Sequence, residues 1–121
     1  MFTVSVRDHF MIAHSLPDPR FGPAQHMHGA TYVVDAIFKS EKLNDMNVVI
    51  DIGKASGFLR KVLDRINYQN LDELDEFRQK LTTTEYLAWY IHHQISKELK
   101  NDISLKIVLN ESHVASASYE N

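Results

Sequence analysis

Residues Phe2–His14 read FTVSVRDHFMIAH, and the alternation in that stretch decides the fold. Phe2, Val4, Val6, Phe10, Ile12 and His14 share one parity, whereas Thr3, Ser5, Arg7 and His9 share the other. Successive side chains of a strand point to opposite faces, so this pattern predicts a long strand with one apolar face. Asp8 is the one exception on that face. Ser15 to Pro23 holds all three prolines and Gly22, and reads as a loop. Beyond it a second strand begins near His28. Tyr32, Val34, Ala36 and Phe38 lie on one of its faces, and Thr31, Asp35 and Lys39 on the other.

The rest of the chain is built around this hairpin. Asn44 to Asn47 reads as a turn, and Val48-Val49-Ile50 as a short extended run. A helix capped near Asp51 follows, with Phe58, Leu59, Val62, Leu63 and Ile66 forming a stripe at helical spacing. A second helix starts at the threonine run, where Thr82-x-x-Glu85 fits a capping box, and Leu87, Ile91, Ile95 and Leu99 recur every four residues. Between the helices, Asp72, Glu73, Asp75 and Glu76 read as a solvated acidic loop. Period two then returns: Leu105, Ile107, Leu109 and Glu111 share a face of a third strand. After a turn near His113, Ala115, Ala117 and Tyr119 share a face of a fourth. Strand, strand, helix, helix, strand, strand predicts an α+β domain with an antiparallel sheet.

Composition narrows the function. A chain of 121 residues has room for one domain, 1–121, with one modest core. It contains no cysteine, which excludes disulfides, thiolate metal sites and a cysteine nucleophile. A net charge of -3 gives no reason to expect nucleic acid as a partner. No apolar run approaches the roughly 18 residues of a membrane span, and the first residues lack a secretory signal, so a cytoplasmic location is expected. Seven histidines remain as the chemical lead.

An antiparallel hairpin brings His14 and His28 to the same end and face of the sheet, and His26 shares their parity. Imidazole is a common zinc ligand, and catalytic zinc usually takes three protein ligands and an open position. The plainer alternative is a pair of hydrogen-bonded polar residues at a sheet end. His92 and His93 are adjacent on a helix and read as surface residues; His9 lies on the opposite face from His14. Glu111 ends an apolar strand face. Its carboxylate can accept two hydrogen bonds side by side from a guanidine-like heterocycle, or it is simply exposed at a strand end.

Taken together, these residues resemble the 6-pyruvoyltetrahydropterin synthase and 6-carboxytetrahydropterin synthase (QueD) family along nearly the whole chain. The family's "AAH" is matched by Ile12-Ala13-His14, and its "HGHNY" by His28-Gly29-Ala30-Thr31-Tyr32. Its "(V/I)DF" is matched by Ile50-Asp51-Ile52, its "PTxE" by Thr82-Thr83-Thr84-Glu85, and its final "ET…Y" by Glu111-Ser112 with Tyr119. The resemblance implies the T-fold, a four-stranded antiparallel sheet with two helices on one face. It also implies homo-oligomers, trimers or hexamers made of two trimers, with pockets between subunits. The implied activity is that of a zinc-dependent lyase acting on dihydroneopterin triphosphate or a related pterin. The glutamate matching Glu111 would grip the pterin, and three histidines would hold zinc.

The departures bear on chemistry. Ala24 stands where the family has cysteine, Asn67-Tyr68 where it has the Asp-His of "LDH", and Ala30 where it has the second histidine of "HGH". Tyr68 is the one proton donor left among these positions, but its usual pKa of about 10 makes it a poor base. The expected metal ligands are His14 and His28, with His26 as third and His113 as the outside alternative. The expected function is therefore altered chemistry on a pterin. The alternative is a non-catalytic, oligomeric pterin- or purine-binding T-fold protein.

Overall fold

The computed structural model describes residues 1–121. Strand β1 covers Phe2–His14 and strand β2 His28–Ser40. They pair antiparallel in unbroken register from Phe2 opposite Ser40 to His14 opposite His28. Helix α1 spans Ile52–Asp64 and helix α2 Thr84–Ser96; strands β3, Ser104–Asn110, and β4, Ser116–Glu120, complete the chain. The four-stranded sheet runs in the order β1-β2-β3-β4, antiparallel throughout. Burial alternates along β1, β2 and β3 as the period-two reading requires.

Both helices cover one face of this sheet, because each carries one apolar stripe. Leu59, Val62 and Leu63 of α1, with Leu87, Ile91 and Ile95 of α2, pack on Phe10, Val34, Phe38, Leu105 and Ile107 in a single core. Asp51 caps α1 as expected, its carboxylate accepting from the Lys54 N–H at 2.8 Å. Asp8, the exception on the apolar face, is met from α1 by Arg60 at 2.9 Å, and Arg60 also donates to Asp64. A carboxylate is tolerated on that face because a cation reaches it there. The other face is polar and partly covered by ion pairs such as Arg7–Asp35 and Lys39–Glu120.

The structure differs from the sequence reading in five places. The loop after β1 contains a 3-10 turn, Pro19–Gln25, capped by Asp18, with Gly22 at φ 57°, ψ -131°, a conformation open to glycine. Val48-Val49-Ile50 pairs with no strand; Val49 and Ile50 are buried in the core instead. The acidic stretch folds into two 3-10 turns, Leu71–Glu73 and Asp75–Phe77. Three of its four carboxylates have partners: Asp72 accepts from Ser15, Asp75 from Arg78 and Glu76 from Tyr90. The cap of α2 is Thr83, not Thr82, and the helix ends at Ser96 with Leu99 in the turn beyond. His92 is 5% exposed rather than on the surface: its Nε2–H donates to the Leu105 carbonyl and the Asn121 side chain, while His93 stays exposed. No helix is long and apolar enough to cross a membrane.

Candidate functional site

The β1–β2 register sets His14 directly opposite His28. Their rings meet edge to face with centroids 4.6 Å apart. His14 is 3% exposed, and its Nδ1 lies 2.8 Å from the Thr82 hydroxyl. Burial, reinforced by the neighbouring His28, lowers its pKa from the usual 6.5, so the ring is neutral at physiological pH. The neutral ring is the form that binds metals. His28 Nδ1 lies 2.8 Å from the His26 carbonyl. A carbonyl only accepts, so Nδ1 carries the proton and Nε2 keeps a free lone pair. Metal-ligating histidines are commonly oriented by a hydrogen bond of this kind.

Glu111 sits one residue past β3, where its N–H donates to the Ala115 carbonyl at 3.2 Å. The Thr84 hydroxyl, in the first turn of α2, donates to Glu111 Oε2 at 3.0 Å. The other carboxylate oxygen has no partner within the chain. Tyr32, from the middle of β2, is buried beside them and stacked on Phe10. Burial raises its pKa, Thr84 counters by hydrogen bonding, and the Glu111 charge raises it again, so the phenol keeps its proton.

One cleft of about 920 Å³ joins these groups. His14 and His28 line one part, and Tyr32, Thr84 and Glu111 line another, with Ala24 and Ala30 presenting only methyl groups. A single chain thus brings together the two ends that sequence reasoning treated separately. A smaller, more enclosed cavity of about 220 Å³ lies between Leu43, Ile50, Phe58 and Leu99, away from every candidate residue.

The remaining candidates lie elsewhere. β2 begins only at His28, so His26 is not on the strand; it follows the 3-10 turn, and its side chain is exposed. His113 is exposed in the β3–β4 turn. No group of three His, Asp or Glu side chains converges on a cation-sized site. The pair therefore fits two of the ligand positions of a zinc ion and falls short of the usual three. Tyr68 is 77% exposed in a left-handed conformation, φ 61°, at the outer edge of β1, and is not part of the cleft wall. Beside it, the Asn67 side-chain oxygen accepts from the Met11 N–H at 3.1 Å.

Sequence reasoning passed over Thr82, Thr84 and Tyr32. The available signal was the run of three threonines, since a helix needs only one of them as its cap.

A sequence profile of the 6-pyruvoyl tetrahydropterin synthase family matches residues 3–121. No curated protein matches the chain. Among solved structures, the 6-pyruvoyl tetrahydropterin synthase of Caenorhabditis elegans superimposes with a TM-score of 0.87 at 23% identity, covering 99% of this chain and 95% of that one. The Plasmodium falciparum enzyme of the same name gives 0.82 at 18% identity, covering 99% and 97%. These structures share the four-stranded sheet and paired helices, and the profile runs nearly end to end; the chain belongs to the 6-pyruvoyl tetrahydropterin synthase family.

Proposed function

We propose that the cleft binds a pterin-type heterocycle, with the ring's N–H pair on Glu111 and its side chain directed toward His14 and His28. The observation that carries this reading is the cleft itself, which sets an aimed carboxylate and two oriented imidazoles on one continuous wall. A carboxylate with one oxygen already held can still accept two parallel hydrogen bonds, which suits an amidine-like ring edge. Tyr32 adds a protonated phenol beside it.

The chemistry on that ligand differs from the family's usual reaction. Ala24 and Ala30 offer only methyl groups to the cleft, and Asn67 and Tyr68 lie outside its wall. His14 and His28 are the residues that would hold zinc, which supplies Lewis acidity toward side-chain oxygens when bound. With two protein donors, its other positions fall to the ligand, to water or to a neighbouring copy. The edge of β4, and that of β1 before the Met11–Ala13 stretch bridged by residues 67–70, suit closure with further copies into a trimer or hexamer. The second reading, a binding protein without turnover, is favoured by the same two alanines.

Titration with neopterin, followed by its fluorescence, tests the proposal. Binding at micromolar levels, weakened at least tenfold by Glu111→Gln, is the expected result; unaltered affinity in that variant removes the pocket assignment. Incubation with dihydroneopterin triphosphate, read by product mass, then separates altered chemistry from binding alone.

A further inference from the structure

We propose that the threonine run at the start of α2 is a bracket spanning the cleft, with Thr82 positioning His14 at one end and Thr84 positioning Glu111 at the other. Three neighbouring hydroxyls have three different partners. Thr82 Oγ1 lies 2.8 Å from His14 Nδ1, Thr83 Oγ1 accepts from the Tyr86 N–H at 3.2 Å, and Thr84 Oγ1 donates to Glu111 Oε2 at 3.0 Å. A helix start needs one such hydroxyl. Thr83 fills that role, so the other two are free to act on the cleft.

Burial separates Thr82 from an incidental contact. It is 2% exposed, and His14 beside it is 3% exposed, so neither group has water as an alternative partner. A buried imidazole pinned at Nδ1 has its ring plane and its Nε2 direction fixed. The PTxE motif has proline at this place, which has no hydroxyl to offer. Thr84 acts differently. Glu111 is an exposed residue next to a turn, free to rotate unless held, and the Thr84 hydroxyl holds one oxygen at the cleft wall and leaves the other without a partner in the chain. Because the two threonines lie one residue to either side of the cap, a single rigid helix terminus fixes the separation of the two ends.

The Thr84 arm rests on the pterin reading above, whereas the Thr82 arm does not. The test compares Thr82→Val, Thr83→Val and Thr84→Val, which keep shape and remove the hydroxyl, with the matching serine variants. Three measurements are taken on each: melting temperature, neopterin affinity by fluorescence, and the His14 ring nitrogen shifts by NMR in metal-free buffer. Thr84→Val should weaken neopterin binding by about tenfold or more, with Thr84→Ser within about twofold of the parent. Thr82→Val should shift the His14 ring nitrogens, with Thr82→Ser restoring them. Thr83→Val should lower the melting temperature and leave the ring shifts in place; Thr83 also lines the cleft, but its hydroxyl is taken by the Tyr86 N–H, so its affinity loss should stay well below that of Thr84→Val.

Equal affinity loss in all three valine variants would reduce the run to helix stability and overturn the proposal. So would unmoved His14 resonances in Thr82→Val, or undiminished affinity in Thr84→Val. If the parent protein binds no neopterin, the pterin reading and the Thr84 arm fall together, and the Thr82 arm is decided by the ring shifts alone.

Discussion

Replacing Ala30 by histidine should convert the two-imidazole pair into a competent zinc site. Ala30 lies on β2 opposite Ile12, two residues beyond His28 and on the same face, and its methyl group lines the cleft. Two strand residues advance about 6.6 Å, and zinc–nitrogen bonds are about 2.0–2.1 Å, so side chains at these positions can converge on one ion. His28 already presents Nε2 with its lone pair free, because the His26 carbonyl holds Nδ1–H. Four-ligand structural zinc sites are worth about 10–16 kcal/mol, or roughly 3 kcal/mol for each donor. A third protein donor should therefore tighten zinc binding by about a hundredfold. Equilibrium competition against a zinc indicator measures this directly, and dialysis should leave about one zinc per Ala30→His chain. The side chain enters a half-exposed cleft rather than the core, so the melting temperature should change little. A folded variant with unchanged zinc affinity would refute the reasoning, because the free nitrogens of His14 and His28 would then not converge. A parent protein that binds zinc as tightly as the variant would refute it from the other side.

Two further expectations concern pH. His14 is held below its usual 6.5 chiefly by burial, so the unfolded chain takes up a proton before the folded one does. Its contribution to stability is then complete above about 6.5 and is lost as pH falls from there toward the lower folded value. Urea midpoints measured in chelator across that range should fall less in His14→Gln than in the parent, and identical slopes would contradict the burial argument. Tyr90 behaves in the opposite sense. Burial and the hydrogen bond to Glu76 push it up to about 12, so stability should decline as pH rises from about 10 toward that value. Tyr90→Phe should remove this alkaline loss; spectrophotometric titration should also lack the last tyrosine to ionise.

The hairpin could be read from sequence because each of its residues has only two choices of face and one face is buried. Once Phe10, Ile12, Tyr32 and Val34 point to the core, a one-residue slip would turn every side chain to the wrong face, so His14 and His28 share a face at one end of the hairpin; the observed pairing then sets them directly opposite. The same logic failed at His26, because alternation holds only inside a strand and β2 starts two residues later, after the Pro19–Gln25 turn. His92 failed for another reason. Helical spacing gives its direction on α2, but its burial depends on Leu105 and Asn121, contacts that no local pattern encodes. At the threonine run all three residues satisfy capping preferences equally well. Tertiary contacts with His14 and Glu111, remote in sequence, decide which one caps. For Glu111, exposure at a strand end and a role in a cleft look alike in sequence until the partner hydroxyl of Thr84 is in place.

The distribution of these residues over the fold also explains how binding and reactivity can come apart. The groups proposed to grip a ligand are held by neighbouring elements: His14 and His28 by paired strands, Tyr32 by β2, and Glu111 by a helix terminus reaching the end of β3. Of the four places where family motifs carry reactive groups or a further ligand, only Ala30 is on a strand. Ala24 lies in the 3-10 turn, and Asn67 and Tyr68 lie in the segment after α1. Connecting segments accept substitution at little cost to a packed sheet. Asn67 illustrates this, since its side-chain oxygen supplies the bond to the β1 edge that an aspartate could equally supply. The shape and polarity of the cleft can therefore persist while its proton-transfer groups change, because the two sets of residues answer to different parts of the fold. On this account the recognition groups should be costly to alter together, whereas Ala24 and Tyr68 should accept replacement with the fold and the cleft intact.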